Sequence, residues 1–328
     1  MAMHARHKTI AASLCAALTL LAAGTALAQA WPARPVRLIV GNPPGGSSDL
    51  MARSLGDELT KSLGQPFVAE NVAGASGNVG TERMLQAPAD GYAAAIVPFT
   101  VFTINAEMYK PMRFDPRTAL APVTLVGVAP LILVVSPSVP ATNLAQLIDW
   151  MRSKKGDVSY ASQGPTSSGM LAMELLKQTA KLEATHVPYK GSGPAMADVM
   201  AGHVPVMFDN TTSSLPQARR GTLRAIAVAE KNRLPSAPDI PTMDESGMPG
   251  FEATPWFGMA MRAGTPREVV ERLSAESVRI LAQPALREKF RPLGVELRGM
   301  SPDEFQRYIN SESDKWSRLV RSAGIKPE

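Results

Sequence analysis

Val36-Arg37-Leu38-Ile39-Val40 runs directly into Gly41-Asn42-Pro43-Pro44-Gly45-Gly46-Ser47-Ser48-Asp49, and a helical pattern begins where that loop ends. The first five residues are rich in β-branched and aliphatic side chains, as a buried strand requires. Ala52, Leu55, Leu59 and Leu63 then recur at helical spacing, and Gly64 supplies a left-handed stop. Phe67-Val68 reads as a short strand, Gly74–Gly80 as a loop, and a short helix follows to Gln86. Ala93–Phe99 reads as another buried strand. This βαβα order predicts an α/β fold with a largely parallel sheet.

A second set of the same kind begins at Leu131-Ile132-Leu133-Val134-Val135. Leu144, Leu147, Ile148 and Met151 mark a helix, and Ser159–Ser162 a strand. Gly164-Pro165-Thr166-Ser167-Ser168 leads into a helix through Leu171 and Leu175. Thr185–Tyr189 is a strand, and Lys190–Gly193 a turn with Pro194 placed as the first helical residue. Strands at Val204–Phe208 and Arg224–Val228 complete the set. After a strand at Trp256–Arg262 the chain reads as helical to its end, with expected capping boxes at Thr265-Pro266-Arg267-Glu268 and Ser301-Pro302-Asp303-Glu304. Phe305, Ile309, Trp316 and Leu319/Val320 give the last helix a docking face. The pattern predicts two α/β domains, one of residues 29–130 plus 254–328 and one of residues 131–253. Crossovers near 130 and 253 would form a hinge beside a cleft.

Residues 1–28 read as a leader. His4, Arg6, His7 and Lys8 are polar, Ile10–Ala23 is a stretch of about 14 apolar or small residues, and Ala26-Leu27-Ala28 is a small-x-small cleavage site. A spanning helix needs about 20 apolar residues, so a membrane anchor is the weaker alternative. Cys15, the only cysteine, lies inside this leader behind Leu14, which argues against lipid attachment. Cleavage after Ala28 would leave 300 of the 328 residues, with no cysteine and with His186 and His203 as the remaining histidines.

That inventory restricts the chemistry. Disulfide frameworks, zinc fingers and iron–sulfur ligation are excluded. Net charge is +5, with 34 Lys plus Arg against 29 Asp plus Glu, and no basic run exceeds two residues, so no nucleic-acid footprint is expected. Covalent catalysis needs a nucleophile beside a base. His186 sits in a β-rich run where a packed, hydrogen-bonded histidine fits better than a base, and His203 follows a turn glycine. No phosphate-loop or dinucleotide glycine spacing occurs. Catalysis through carboxylates leaves little trace in sequence and stays open. No cofactor and no metal are expected.

One design repeats instead. At 43–49, 74–80, 162–168 and 190–194 a strand gives way to a Gly/Ser/Thr-rich loop and then a helix start. The first turn of a helix carries unpaired amides and a positive dipole end, which hold a carboxylate or phosphate without Lys or Arg. Ser47, Ser48, Thr166, Ser167 and Ser168 could add hydroxyl donors, and Ser192 lies in the fourth loop. Any one loop can equally be plain turn and cap chemistry.

Pro43–Asp49 resembles the first-loop signature of the tripartite tricarboxylate transporter substrate-binding proteins, also called the Bug or TctC family. Glu70-Asn71 with Gly74–Gly80, Ala89-Asp90-Gly91-Tyr92, Tyr160-Ala161-Ser162, Val187–Ala195, Phe208-Asp209, Leu223–Val228, Pro238–Thr242 and Gly264-Thr265-Pro266 continue the likeness along the chain. The resemblance implies a two-lobed periplasmic binding protein of type II-like α/β fold, with a two-crossover hinge. It would capture a carboxylated small molecule and deliver it to the membrane permease subunits of a tripartite transporter, acting as a monomer rather than an enzyme. A periplasmic ligand sensor serving a sensor kinase is the alternative. Carried over residue by residue, the resemblance implies ligand contacts at Gly46, Ser47, Asp49, Asn78, Ser162, Thr166, Ser167, Ser168 and Asp209. The chain departs from the family pattern at Gly41-Asn42, where an aromatic residue is usual, at Thr166 and Met170, and at Pro98–Thr103. Those departures suggest a pocket altered from the usual small-dicarboxylate type, for an aromatic or otherwise atypical acid, in which Phe99 or Phe102 is either a pocket wall or core, with Thr103 beside them.

Overall fold

The computed structural model describes residues 31–322, 324 and 325. The expected leader of residues 1–28 lies outside the described residues. The chain runs β1 (Val36–Val40), α1 (Ser47–Leu63), β2 (Phe67–Asn71), α2 (Asn78–Leu85), β3 (Ala93–Pro98), α3 (Phe99–Thr103), α4 (Asn105–Met108), α5 (Pro116–Ala119) and β4 (Leu120–Val128). It continues through β5 (Leu131–Val135), α6 (Leu144–Ser153), β6 (Ser159–Ser162), α7 (Ser168–Ala180), β7 (Thr185–Pro188), α8 (Ser192–Ala201), β8 (Val206–Asn210), α9 (Thr211–Arg219) and β9 (Arg224–Val228). The last part is β10 (Trp256–Arg262), α10 (Arg267–Leu281), α11 (Pro284–Phe290), β11 (Glu296–Leu297) and α12 (Pro302–Ser322).

Two sheets organise these elements into two α/β lobes. One has the order β11-β4-β10-β3-β1-β2, the other β7-β6-β8-β5-β9. Each is mixed rather than largely parallel. β2-β1-β3 and β7-β6-β8 are parallel sets, as their intervening helices require. The strands next to the lobe crossings, β4 and β10 in one sheet and β5 and β9 in the other, pair antiparallel. The reason lies in the connections: strands that carry the chain between lobes do not return through a local helix.

The sequence reading misses β4, whose Pro122 and Gly127 resemble loop punctuation. In the sheet, Pro122 lies opposite Ala260 beside a register irregularity, where the regular ladder is already broken. Gly127 is required by close approach, since an added Cβ would stand 2.8 Å from the Glu296 carbonyl oxygen. Pro194 is the third helical residue rather than the first, because α8 starts at Ser192. The Thr265 box does not form: Thr265 Oγ1 donates to the Arg262 carbonyl, and Pro266 occupies the cap position. The Ser301 box does form, with Ser301 N donating to Glu304 Oε2 at 2.9 Å. Pro98 ends β3 and Phe99–Thr103 is the short helix α3, so Phe99 is helical rather than the last residue of a strand.

α12 closes the first lobe. Phe305 packs edge-on against Phe102 and Trp256, and Trp316 meets Phe99 with ring centroids 4.5 Å apart. The indole N–H groups of Trp256 and Trp316 both donate to Glu312 Oε2, at 3.0 and 2.9 Å, so these buried donors are satisfied. At its far end α12 reaches the second lobe, where Gln178 Nε2 donates to the Ser322 carbonyl at 2.6 Å.

The two lobe crossings lie side by side: Ala129 N donates to the Pro255 carbonyl, and Ala253 N to the Ala229 carbonyl. Glu230 sits here, partly buried, accepting from Thr254 Oγ1 at 2.5 Å. Burial pushes its carboxyl up to about 7, against the opposing pull of the Thr254 hydroxyl; Glu252 raises it further, while Arg298 and Lys315 lower it. An acid raised on folding holds a proton the unfolded chain releases, so it costs stability as pH rises from its ordinary value to about 7. Glu230→Gln should therefore raise Tm at pH 8 and change it little at pH 4.5. An equal shift at both pH values in thermal denaturation would contradict this burial account.

Candidate ligand-binding cleft

The carboxyl ends of the parallel strands in both lobes face a cavity of about 710 Å³. Gly41–Ser48, Ala73–Gly77 and Pro98–Thr100 line it from the first lobe. Gln163–Pro165, Ser167, Ser168, Tyr189–Pro194, Met196, Asn210 and Ser213 line it from the second, with Pro255 and Phe257 beside the crossings. Ligands of open α/β folds collect at this end of the strands.

Among the described residues, five helices start at this cavity without a side-chain cap, two of them α2 after Gly77 and α3 after Pro98. Gly46 precedes α1, Gly191 precedes α8 and Asn210 precedes α9, and none makes a capping hydrogen bond. A capping side chain satisfies one of the orphan amides of a first turn. Its absence leaves those donors available to an anion. α7 differs, because Ser167 accepts from Met170 N at 3.4 Å. Among the cavity-lining residues Lys190 is the one with a formal charge, and it is exposed. Phe99, Phe257, Met196 and several prolines give the remaining wall an apolar character.

Of the residues expected from sequence, the structure brings Gly46, Ser47, Ser48, Ser167, Ser168 and Ser192 to the cavity wall. Asp49, Asn78, Ser162, Thr166, Asp209, Phe102 and Thr103 lie behind it, and each has another physical task. Asp49 is buried and accepts from Gly45 N, Arg53 Nε and Asn71 Nδ2, each at 2.9 Å. Burial alone would raise its carboxyl, but the bonds from Arg53, Gly45 and Asn71 together hold it below the usual value. It fastens the first loop to the body of the lobe. Asp209 does the same in the second lobe: Oδ1 accepts from Gln163 Nε2 and Ser192 Oγ, both at 2.6 Å, and Oδ2 from Ser214 Oγ at 2.8 Å. One buried carboxylate thus ties three cleft segments together.

Asn78 is the first residue of α2 and its Oδ1 accepts from Asn105 Nδ2 at 2.8 Å. Phe102 is core, stacked on Trp256, and Thr103 Oγ1 donates to the Phe99 carbonyl. Phe99 reaches the cavity although almost all of its surface is buried. Among the described residues, Ser162 and His186 form a pairing that suggests a nucleophile and base, at 2.6 Å. Ser162 is fully buried, however, and also bonds Gly164, while His186 stacks on Tyr160. Burial holds the imidazole below its ordinary value. Ser162 does not reach the cavity wall, so the pair cannot meet a substrate there.

The lobes also touch directly across the cleft. Ser47 Oγ and Thr212 Oγ1 are 2.6 Å apart, and Thr166 Oγ1 lies within hydrogen-bond distance of two hydroxyls, Ser76 Oγ at 2.6 Å and Tyr109 Oη at 2.8 Å. Ser76 and its neighbour Ala75 both adopt left-handed backbone, at φ 49° and 44°, an uncommon state for residues with a Cβ. Gly191 has φ 113°, and a Cβ there would stand 2.9 Å from Pro43 of the opposite lobe. The α9 start, with Asn210 and Ser213, is absent from the sequence-based set. Its signal was available, since Asp209–Ser214 is another strand end, polar loop and helix start.

Asp49 now reads as a brace. Asp49→Ala should cost about 1–2 kcal/mol of stability, because it removes the buried carboxylate that accepts from Gly45, Asn71 and Arg53 and leaves the first loop untied. Urea denaturation measures this, and an unchanged midpoint would remove the bracing role.

Comparison with known proteins agrees with this geometry. Residues 51–325 match the model of the tripartite tricarboxylate transporter family receptor. Protein BugT of Bordetella pertussis is 35% identical over 300 residues, covering 91% of this chain and 92% of BugT. The solved structure of R. palustris Rpa4515 with adipate superposes with a TM-score of 0.88 at 35% identity, covering 91% of this chain and all of that one. The periplasmic binding protein BugD gives a TM-score of 0.85 at 32% identity, covering 91% of this chain and 100% of its own. On the matched length and the shared two-lobed fold, this chain belongs to the tripartite tricarboxylate transporter receptor family, the Bug or TctC solute-binding proteins.

Proposed function

We propose that the protein is a periplasmic receptor that closes its two lobes around a carboxylated small molecule and hands it to the membrane permease subunits of a tripartite transporter. The observation that carries this reading is the set of uncapped helix starts facing one cavity. Ser47 and Ser48 offer first-turn amides from the first lobe, and α8 and α9 offer theirs from the second. An anion between them satisfies donors on both lobes at once, so binding favours the closed arrangement. The leader pattern of residues 1–28 supports export, and the adipate bound by Rpa4515 supports a carboxylate ligand. The protein works as a monomeric binder rather than as an enzyme, consistent with the buried position of Ser162 beside His186.

Proline distinguishes backbone capture from side-chain capture. Ser47 is the first residue of α1, where proline is tolerated but lacks an amide hydrogen, and Gly46 before it is already extended. In calorimetric titration, Ser47→Pro should weaken carboxylate binding about 10–100-fold, whereas Ser47→Ala should weaken it far less. Equal losses would place the capture on the hydroxyl.

The ligand's body meets Phe99, Phe257 and Met196 rather than charge. Phenylacetate should therefore raise Tm more than succinate does in a thermal-shift comparison. Succinate stabilising as strongly would show that these apolar walls do not select the ligand.

A further inference from the structure

Three side-chain hydroxyls meet where the Ala75–Gly77 segment of the first lobe faces the loop before α7. Thr166 Oγ1 of the second lobe is 2.6 Å from Ser76 Oγ and 2.8 Å from Tyr109 Oη of the first, and those two are 3.3 Å apart. A hydroxyl has one hydrogen to donate and lone pairs to accept, so three in a triangle can close a ring in which each does both. Thr166 is fully buried, where such bonds are strengthened and an unpaired hydroxyl is costly. The two segments approach closely in backbone as well, since a Cβ on Gly164 would stand 3.8 Å from Ser76 Oγ.

The first-lobe corners are held from behind. Ser76 keeps its left-handed backbone while its carbonyl accepts from Thr100 Oγ1 and Asn105 Nδ2, both at 3.3 Å. Backbone in an uncommon state persists where its surroundings hold it, and here it leaves the Ser76 hydroxyl to the opposite lobe. Tyr109 follows α4, its amide donates to the Asn105 carbonyl at 2.9 Å, and its side chain packs against the core. Ser76 lines the cavity, but Tyr109 and Thr166 do not.

We infer that Tyr109 is a positioning residue for ligand capture, whose hydroxyl ties Thr166 of the second lobe to the first and so secures the closed cleft without touching the ligand. This rests on the proposed closure of the lobes around a carboxylate and adds what holds them once closed. A bond made only in the closed arrangement raises the closed population, and apparent affinity follows that population. Its effect is therefore one common factor for ligands of different body, unlike that of a residue in contact with the ligand.

Tyr109→Phe deletes the hydroxyl and keeps the ring, while Thr166→Val deletes the hydroxyl and keeps the branched shape. Succinate, adipate and phenylacetate are the probes, titrated by calorimetry into the wild-type protein, each variant and the double variant. Tyr109→Phe should weaken every acid that the wild type binds by one factor of about 3–10, the worth of about one neutral hydrogen bond. In the Thr166→Val background the same change should have no further effect within about twofold, because Tyr109 then has no partner in the second lobe. Unchanged affinity in a folded Tyr109→Phe protein would overturn the inference and leave carboxylate capture standing. A full further loss in the double variant, or factors that differ among the acids, would overturn it as well, since Tyr109 would then act other than through Thr166. Binding of none of the acids by the wild type would remove the carboxylate reading and this inference together. Should Tyr109→Phe fail to fold, Thr166→Val and Thr166→Ser carry the test. The valine variant should bind more weakly than the serine variant, which restores a hydroxyl, and equal affinity of the two would overturn the inference.

Discussion

An α-helix cannot satisfy its own first-turn amides, and this protein leaves several of them without side-chain caps at one place. Gly46, Gly191 and Asn210 precede three helix starts on two lobes, and none of them caps. Much of the fold can be understood as a means of holding those starts. The parallel strands β2-β1-β3 and β7-β6-β8 deliver their following loops to one end of each sheet, and the crossings set the two ends facing each other. Among the described residues lining the cavity, the exposed Lys190 alone carries a formal charge, so charge pairing is not what the cleft is built around.

Precision in such a site depends on groups behind it. Asp49 gathers a loop amide, an asparagine and an arginine; Asp209 gathers Gln163, Ser192 and Ser214. A carboxylate can accept several bonds at once, which makes it an effective knot for loops whose own backbone is irregular. Both knots are buried, where hydrogen bonds are stronger and an unpaired donor is more costly. Contacts such as Thr166 with Ser76, and Ser47 with Thr212, are of another kind: neutral hydroxyl pairs across the cleft, modest enough to break when the lobes part.

Much of this was legible in the sequence, for physical reasons that also explain the failures. Strand-to-helix transitions are local events, and hydrophobic period with Gly punctuation located β1, α1, β6 and α7 closely. β4 was illegible because its pairing with β10 and β11 overrides a proline and a glycine that locally signal a loop. The Thr265 motif met the letter of a capping box, but Pro266 took the cap position and Thr265 turned to Arg262. For the site, residue type identified polar positions near the cleft but not their direction. Ser47 and Asp49 stand two residues apart at one helix start, yet one lines the cavity and the other braces the loop from behind. Asn210 was passed over because its neighbour Asp209 carries the charge, although burial turns that charge into scaffolding.

The central claim is that backbone amides at helix starts, rather than a cationic side chain, hold the ligand's carboxylate between the lobes. A crystal structure of the protein with a bound carboxylate tests it most directly. The account predicts carboxylate oxygens within hydrogen-bond distance of the Ser47 and Ser48 amides, with second-lobe contact through the starts of α8 or α9. A carboxylate paired to Lys190 and out of reach of the α1 amides would contradict it.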